Sequence, residues 1–109
     1  MMTECFQIEM ADNVAMLLQD AEAGVVLLRR QAEPREIRLT QAIKMGHKVA
    51  LCALEDGAPI VKYGVTIGEA TQPIAEGEWV HLHNCRSRYD AGSSSLNAET
   101  GSREETPYV

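Results

Sequence analysis

One short phrase occurs four times in this chain and limits what the chain can fold into. The phrase is an aliphatic residue or Ala, two further residues, a Gly, and then an aliphatic run a few residues on. Ala21-Glu22-Ala23-Gly24 precedes Val25-Val26-Leu27-Leu28, and Ile43-Lys44-Met45-Gly46 precedes His47 to Leu51. Leu54-Glu55-Asp56-Gly57 precedes Ala58 to Val61, and Ile74-Ala75-Glu76-Gly77 precedes Glu78 to Leu82. Each glycine is expected at a turn with positive φ, and each run as a strand. The copies are irregularly spaced, which excludes a solenoid and points to turn-plus-strand units within one small sheet-built domain.

The segments between these units support the same reading. Phe6 to Met10, Glu36 to Thr40, Val65 to Gly68 and Val80 to His83 alternate as half-buried strands do. Asn13 to Gln19 is ambiguous: Ala15, Met16 and Leu17 favour helix, whereas Gly24 and the strand beyond it favour a hairpin. Thr40 to Met45 has room for one helical turn. A twisted, mostly antiparallel β fold with little helix follows. Only five residues are Phe, Trp or Tyr, so the core is expected to rest on Val, Ile, Leu, Met and Ala.

At 109 residues the chain has material for one domain. After residue 85 its character changes. Residues 86–109 are rich in Ser, Gly, Glu and Arg, with Leu96 the sole large aliphatic before Val109. Such a segment buries too little apolar surface to offset its ordering entropy. A folded domain over 1–85 and a flexible tail over 86–109 are therefore expected, with Tyr89, Tyr108 and Val109 as anchors should a partner order it.

A net charge of −6, with no basic cluster longer than Arg29–Arg30, argues against nucleic acid or an anionic membrane as partner. It leaves room for a small anionic substrate, which one or two cations can hold. Cys5, Cys52 and Cys85 are widely spaced and odd in number, which suits a reducing cytoplasm better than a disulfide scaffold. Cys52, between Leu51 and Ala53, reads as a small core residue. The first ten residues carry Glu4 and Glu9 and no basic stretch, unlike a signal peptide. Val25 to Leu28 is far too short to span a bilayer.

The chemistry-bearing residues are few. His81 and His83 at i and i+2 of a predicted strand share one face, where two imidazoles can chelate a divalent metal or stand solvated on an open sheet. His47 and Lys48 follow Gly46 and project to opposite sides. Lys48 can pair with a carboxylate, and His47 can serve as base or ligand, or both can be ordinary surface residues. Lys62-Tyr63-Gly64 forms either a carboxylate contact or a plain β-turn. Asp12-Asn13 reads locally as an Asx turn or cap.

Taken in order, Asp12-Asn13-Val14-Ala15, Gly46-His47-Lys48-Val49-Ala50-Leu51, Ile60-Val61-Lys62-Tyr63-Gly64, Ile67-Gly68-Glu69-Ala70-Thr71 and Ile74 to Asn84 closely resemble the SAF-type domain of the altronate/galactarate dehydratase family. The resemblance covers roughly residues 5 to 84. It implies a β-clip fold and a role in dehydrating hexonic or hexaric acids, or in a related β-elimination such as sulfite release from sulfolactate. It implies a divalent metal, Fe2+ or Mn2+, held mainly by a large catalytic subunit that this domain accompanies. Within the shared site, His47 and Lys48 are the expected catalytic groups. Asn13, Lys62, Tyr63 and Asn84 are expected to contact substrate, and His81 and His83 to contact metal. The chain alone has too few groups for the whole reaction and is expected to be inactive without its partner. Self-association remains open. The competing expectation is a non-catalytic SAF-type module that binds carbohydrate or protein.

Overall fold

The computed structural model describes residues 2–87, and they are built from strands and turns without helix. Of the tail expected over 86–109, residues 88–109 lie outside the described residues. Nine strands are present among the described residues. They are β1 (Glu4–Phe6), β2 (Val14–Leu17), β3 (Gly24–Arg29), β4 (Arg35–Leu39), β5 (Lys48–Ala50), β6 (Pro59–Lys62), β7 (Val65–Ala70), β8 (Trp79–Val80) and β9 (Cys85–Ser87). Six form a sheet in the order β4-β3-β1-β2-β5-β8, and three form a second sheet in the order β6-β7-β9. Every named pairing is antiparallel except β1 with β3. The folded part runs past the boundary expected at residue 85, because Arg86 and Ser87 pair with Glu69 and Gly68.

The four phrases explain this arrangement. Gly24, Gly46, Gly57 and Gly77 all have positive φ, as expected. In the last three, the residue after Gly donates its N–H to the carbonyl three positions earlier, closing the same tight turn. The leading residues then pair two by two. Ala21 bridges Ile43, and Leu54 bridges Ile74. Each pair belongs to a different core. Ala21 and Ile43 join Cys5, Leu17, Leu28 and Leu39 inside the curl of the large sheet. Leu54 and Ile74 join Ile60, Ile67 and Cys85 between the two sheets. The repeated phrase thus builds one layered domain with two adjoining hydrophobic clusters.

Gly77 also closes the large sheet on itself. A Cβ there would stand 1.9 Å from the Arg38 carbonyl oxygen, and Thr40 N–H donates to the Gly77 carbonyl. The approach to β8 therefore packs against the end of β4, the opposite edge of the sheet. No side chain fits in that gap.

Several sequence expectations change. The first strand is Glu4–Phe6, not Phe6–Met10, because residues 8–11 turn back under Asp12. Asn13 to Gln19 holds strand β2, but it forms no hairpin with β3. It pairs with β1 and β5, and β1 separates it from β3. Its ambiguity has a physical cause: Val14 faces one core and Ala15 the other, so no alternation shows. Thr40 to Met45 contains no helical turn, since Ile43 is committed to its bridge with Ala21. Cys52 is exposed rather than in the core. Methionine adds nothing to either cluster, and Met2, Met10 and Met45 are exposed.

Two asparagines tie the layers together. Asn13 Oδ1 accepts from Val61 N–H (2.8 Å) and its Nδ2 donates to the Pro59 carbonyl (2.9 Å), so its amide mimics a strand partner for β6. Asn84 is fully buried. Its Oδ1 accepts from His81 N–H (2.9 Å) and its Nδ2 donates to the Trp79 carbonyl (2.8 Å). That amide closes the turn by which the chain leaves the large sheet for the small one.

Two predictions follow from these contacts. Asn84→Ala removes a fully buried amide and leaves a partly buried N–H and carbonyl without it, and should lower unfolding stability by about 1–3 kcal/mol in urea titration. Among the glycines, Gly46→Ala meets nothing within 4 Å and should cost only its left-handed backbone, about 1–2 kcal/mol. Gly77→Ala must also push two backbone segments apart and should cost clearly more. Equal losses for the two would refute the sheet-closure role of Gly77.

Candidate functional site

The candidate residues gather around β5 and β8, and they divide between two faces. Val49 pairs with Trp79 and faces the first core. Lys48 pairs with Val80, and Val80 and Ala50 face the second. Side chains alternate along a strand. His47 therefore shares the face of Val49 and Trp79, while Lys48 takes the other. The expected pair of catalytic residues is adjacent in sequence and separated in space.

On the first face the three histidines surround Trp79. Trp79 Nε1–H donates to His47 Nδ1 over 3.1 Å. The His81 ring stacks on the indole, with centroids 5.2 Å apart and planes 11° from parallel. His83 lies tilted against it at 4.9 Å, and the His47 and His81 rings are 5.0 Å apart. The expected strand over Val80 to His83 is absent. β8 ends at Val80 and residues 81–84 form a turn, closed by Asn84 N–H donating to the His81 carbonyl (3.1 Å). His81 and His83 are brought together by the indole, not by strand alternation. Trp79 went unread in the sequence, although its position two residues before His81 was the available signal.

On the second face lie two buried lysines. Lys48 is 4% exposed and Lys62 is 9% exposed. Burial pushes the Lys48 amine down to about 8, the charge of Lys62 pushes the same way, and neighbouring Cys85 opposes. Burial also lowers the Lys62 amine, and the carboxylate of Asp12 works against that shift. Burial raises the Cys85 thiol, with Lys48 opposing. Two ammonium groups near each other in a desolvated rim create positive potential that an anion can relieve.

Tyr63 completes this face. With Gly64 it forms the two-residue loop between β6 and β7, both at positive φ (57° and 74°), as hairpin loops of this length require. The Lys62 ammonium lies 4.8 Å from the Tyr63 ring centre, and the hydroxyl meets Met16 Sδ at 3.9 Å. Asp12 fixes the loop. Its Oδ1 accepts from Gly64 N–H at 2.7 Å and its Oδ2 from Glu9 N–H at 3.1 Å. The Asx turn read locally at Asp12 is thus half of a longer tie, 52 residues in reach. Asn13 and Asn84 do not present free amides at either face, since both are spent on backbone groups.

The donor set does not make a metal centre. Among the described residues no three His, Cys, Asp or Glu side chains come together to hold an ion. The Nδ1 lone pair of His47 is engaged by the indole. His81 and His83 can offer at most two ligands to a metal fixed elsewhere, short of the three or four that a protein site needs.

With this geometry in place, the relatives can be compared. The profile of the altronate/galactarate dehydratase SAF domain matches residues 3–88. The chain is 36% identical over 107 residues to altronate dehydratase of Bacillus subtilis (strain 168), a match spanning 98% of this chain and 20% of that protein. It is 34% identical to altronate dehydratase of Escherichia coli (strain K12), over 94% of this chain and 22% of that protein. The chain therefore spans about a fifth of the length of these dehydratases. Against the (2R)-sulfolactate sulfo-lyase subunit alpha of Chromohalobacter salexigens it is 32% identical over 88 residues, 76% of this chain and 94% of that subunit. Two curled layers of short strands, gathered around a histidine–tryptophan face and a lysine face, are thus the form taken here by a known domain type: the chain belongs to the altronate/galactarate dehydratase SAF domain family.

Proposed function

We propose that this chain is the accessory domain or small subunit of a lyase that eliminates water, or a comparable leaving group, from a hydroxylated carboxylic acid. Its part is to hold the acid's charged end. The observation that carries this reading is the pair of buried lysines, Lys48 and Lys62, with Tyr63 beside them. Elimination of this kind removes a proton α to a carboxylate and accumulates negative charge on the resulting enediolate. Two desolvated cations suit that charge, and Tyr63 can donate a further hydrogen bond. The relatives support the class: the matched proteins act, by their names, on altronate and on (2R)-sulfolactate. The sulfo-lyase match supports the separate-subunit arrangement, because the chain covers almost all of a protein named as a subunit.

The remaining chemistry belongs to a larger catalytic partner in this reading. That partner would supply the base and the Fe2+ or Mn2+ ion, with His81 and His83 in reach as minor contacts. A divalent ion would supply further charge stabilisation of the enediolate. The setting proposed is the cytoplasm, and among the described residues no helix is long and apolar enough to cross a membrane.

The test is reconstitution. The chain is co-expressed with a large subunit of the same dehydratase or sulfo-lyase type, and the complex is assayed against altronate, galactarate and sulfolactate. Activity should need both components. Lys48→Met and Lys62→Met should each lower kcat/KM by roughly 10²–10³-fold, the size expected for losing a charged partner of a developing anion. Full activity in both variants would remove the lysines from the site.

The burial of Lys48 can be checked on the chain alone. Its folded pKa of about 8 lies below the ordinary 10.5. At pH 7 the amine is charged in both folded and unfolded states, and the cost of burying it is full, about 3 kcal/mol by linkage. As pH rises through 8 the folded amine loses its proton while the unfolded one keeps it, so the cost falls. Lys48→Met should therefore be more stable than the natural chain at pH 7, with the gap narrowing by about 1 kcal/mol at pH 9. Urea titrations at the two pH values measure the gap. Comparing the two proteins cancels the thiol of Cys5, which burial raises to about 11 in both.

A further inference from the structure

Trp79 is the residue around which the histidines gather, and its hydrogen bond has a fixed direction. An indole nitrogen can donate but cannot accept. In the bond of 3.1 Å to His47, the proton therefore belongs to Trp79 Nε1, and His47 Nδ1 offers its lone pair. A neutral imidazole carries one proton, which must then sit on Nε2. Nε2 lies across the ring from Nδ1 and is directed away from the indole. The indole in turn is held from a second side by the stacked His81 ring, 5.2 Å away and 11° from parallel. Its carbonyl is held by the buried amide of Asn84. Trp79 thus has little freedom to swing away from His47.

We propose that Trp79 is a positioning residue that locks His47 in the Nε2–H tautomer, so that His47 presents a hydrogen-bond donor to an anionic oxygen and not a base or a metal ligand. The identity of that oxygen, a carboxylate or enediolate oxygen of the acid, rests on the lyase reading above. The tautomer does not depend on it. In this tautomer both ring nitrogens are assigned: Nδ1 is occupied by the indole, and Nε2 already carries a proton and can only give a hydrogen bond.

The experiment is a long-range ¹H–¹⁵N correlation spectrum of the full chain labelled at histidine, recorded at mildly alkaline pH. The His47 signals are assigned from His81→Gln and His83→Gln variants. His47 should show one tautomer, with the proton on Nε2, and a coupling from the Trp79 indole proton to His47 Nδ1. Trp79→Phe keeps a ring and removes the donor, so its His47 signals should move to the average of two exchanging tautomers. A proton on Nδ1 in the natural chain overturns the proposal. So does an unchanged tautomer in a folded Trp79→Phe. If Trp79→Phe fails to fold, the spectrum of the natural chain decides alone. In the reconstituted enzyme, His47→Gln retains an N–H and should recover at least about tenfold of what His47→Ala loses. Equal losses overturn the donor role. Absence of activity with the natural chain would count against the lyase reading and leave the spectroscopic result standing.

Discussion

Strand β5 is buried on both sides, and most of the molecule's chemistry depends on that. Val49 enters the core inside the large sheet and Ala50 enters the core between the sheets. A strand so placed has no solvent face to spare for its third residue, Lys48. The amine is carried into a desolvated rim because its neighbours are needed in two cores at once. Burying a charge this way is unfavourable unless something compensates. The second lysine close by adds its charge to the desolvation that Lys48 bears.

The paired turn phrases explain how so short a chain obtains two cores. Each bridge, Ala21 with Ile43 and Leu54 with Ile74, pins two glycine turns back to back and places an aliphatic side chain inward from each. The strands that follow radiate from these pins, and β2, β5 and β8 are shared between the clusters. A depression at Ala53–Ala58 lies on the loop before β6 and includes none of the lysines or histidines. The charged and aromatic groups sit at the rim of the layers, where a second protein body could close over them.

How far the sequence disclosed this varies with the physics of each element. The glycines were legible because a turn with positive φ tolerates few other residues. Strand β4 was legible because one face is buried and the other is not, as in Ile37 and Leu39 against Glu36 and Arg38, and β3 as the aliphatic run that follows Gly24. Strand β2 was not, because burial on both faces erases alternation; β5 is buried on both faces too and was read instead as the run that follows the turn at Gly46. β8 was misjudged because Val80-His81-Leu82-His83 alternates by accident, while Asn84 bends the backbone at His81. Asn13 and Asn84 were expected as substrate contacts only through the family resemblance. In the structure their amides bond backbone groups, which for Asn13 lie 46 and 48 residues away, and no local pattern reveals such a pairing.

His47 and Lys48 were expected to project to opposite sides of their strand, and they do. What the sequence did not disclose is what each side holds. The alternation that buries Val49 and Ala50 in different cores sends the imidazole toward Trp79 and the amine toward Lys62. Each then acquires its character from its own side. The amine is shaped by desolvation and a like charge, and the imidazole by a donor that cannot accept in return. A charge and a hydrogen-bond donor held on opposite faces of one thin strand need not serve the same atom of a ligand. Whatever body covers β5 and β8 must reach around the two-residue edge strand to bring them to bear together.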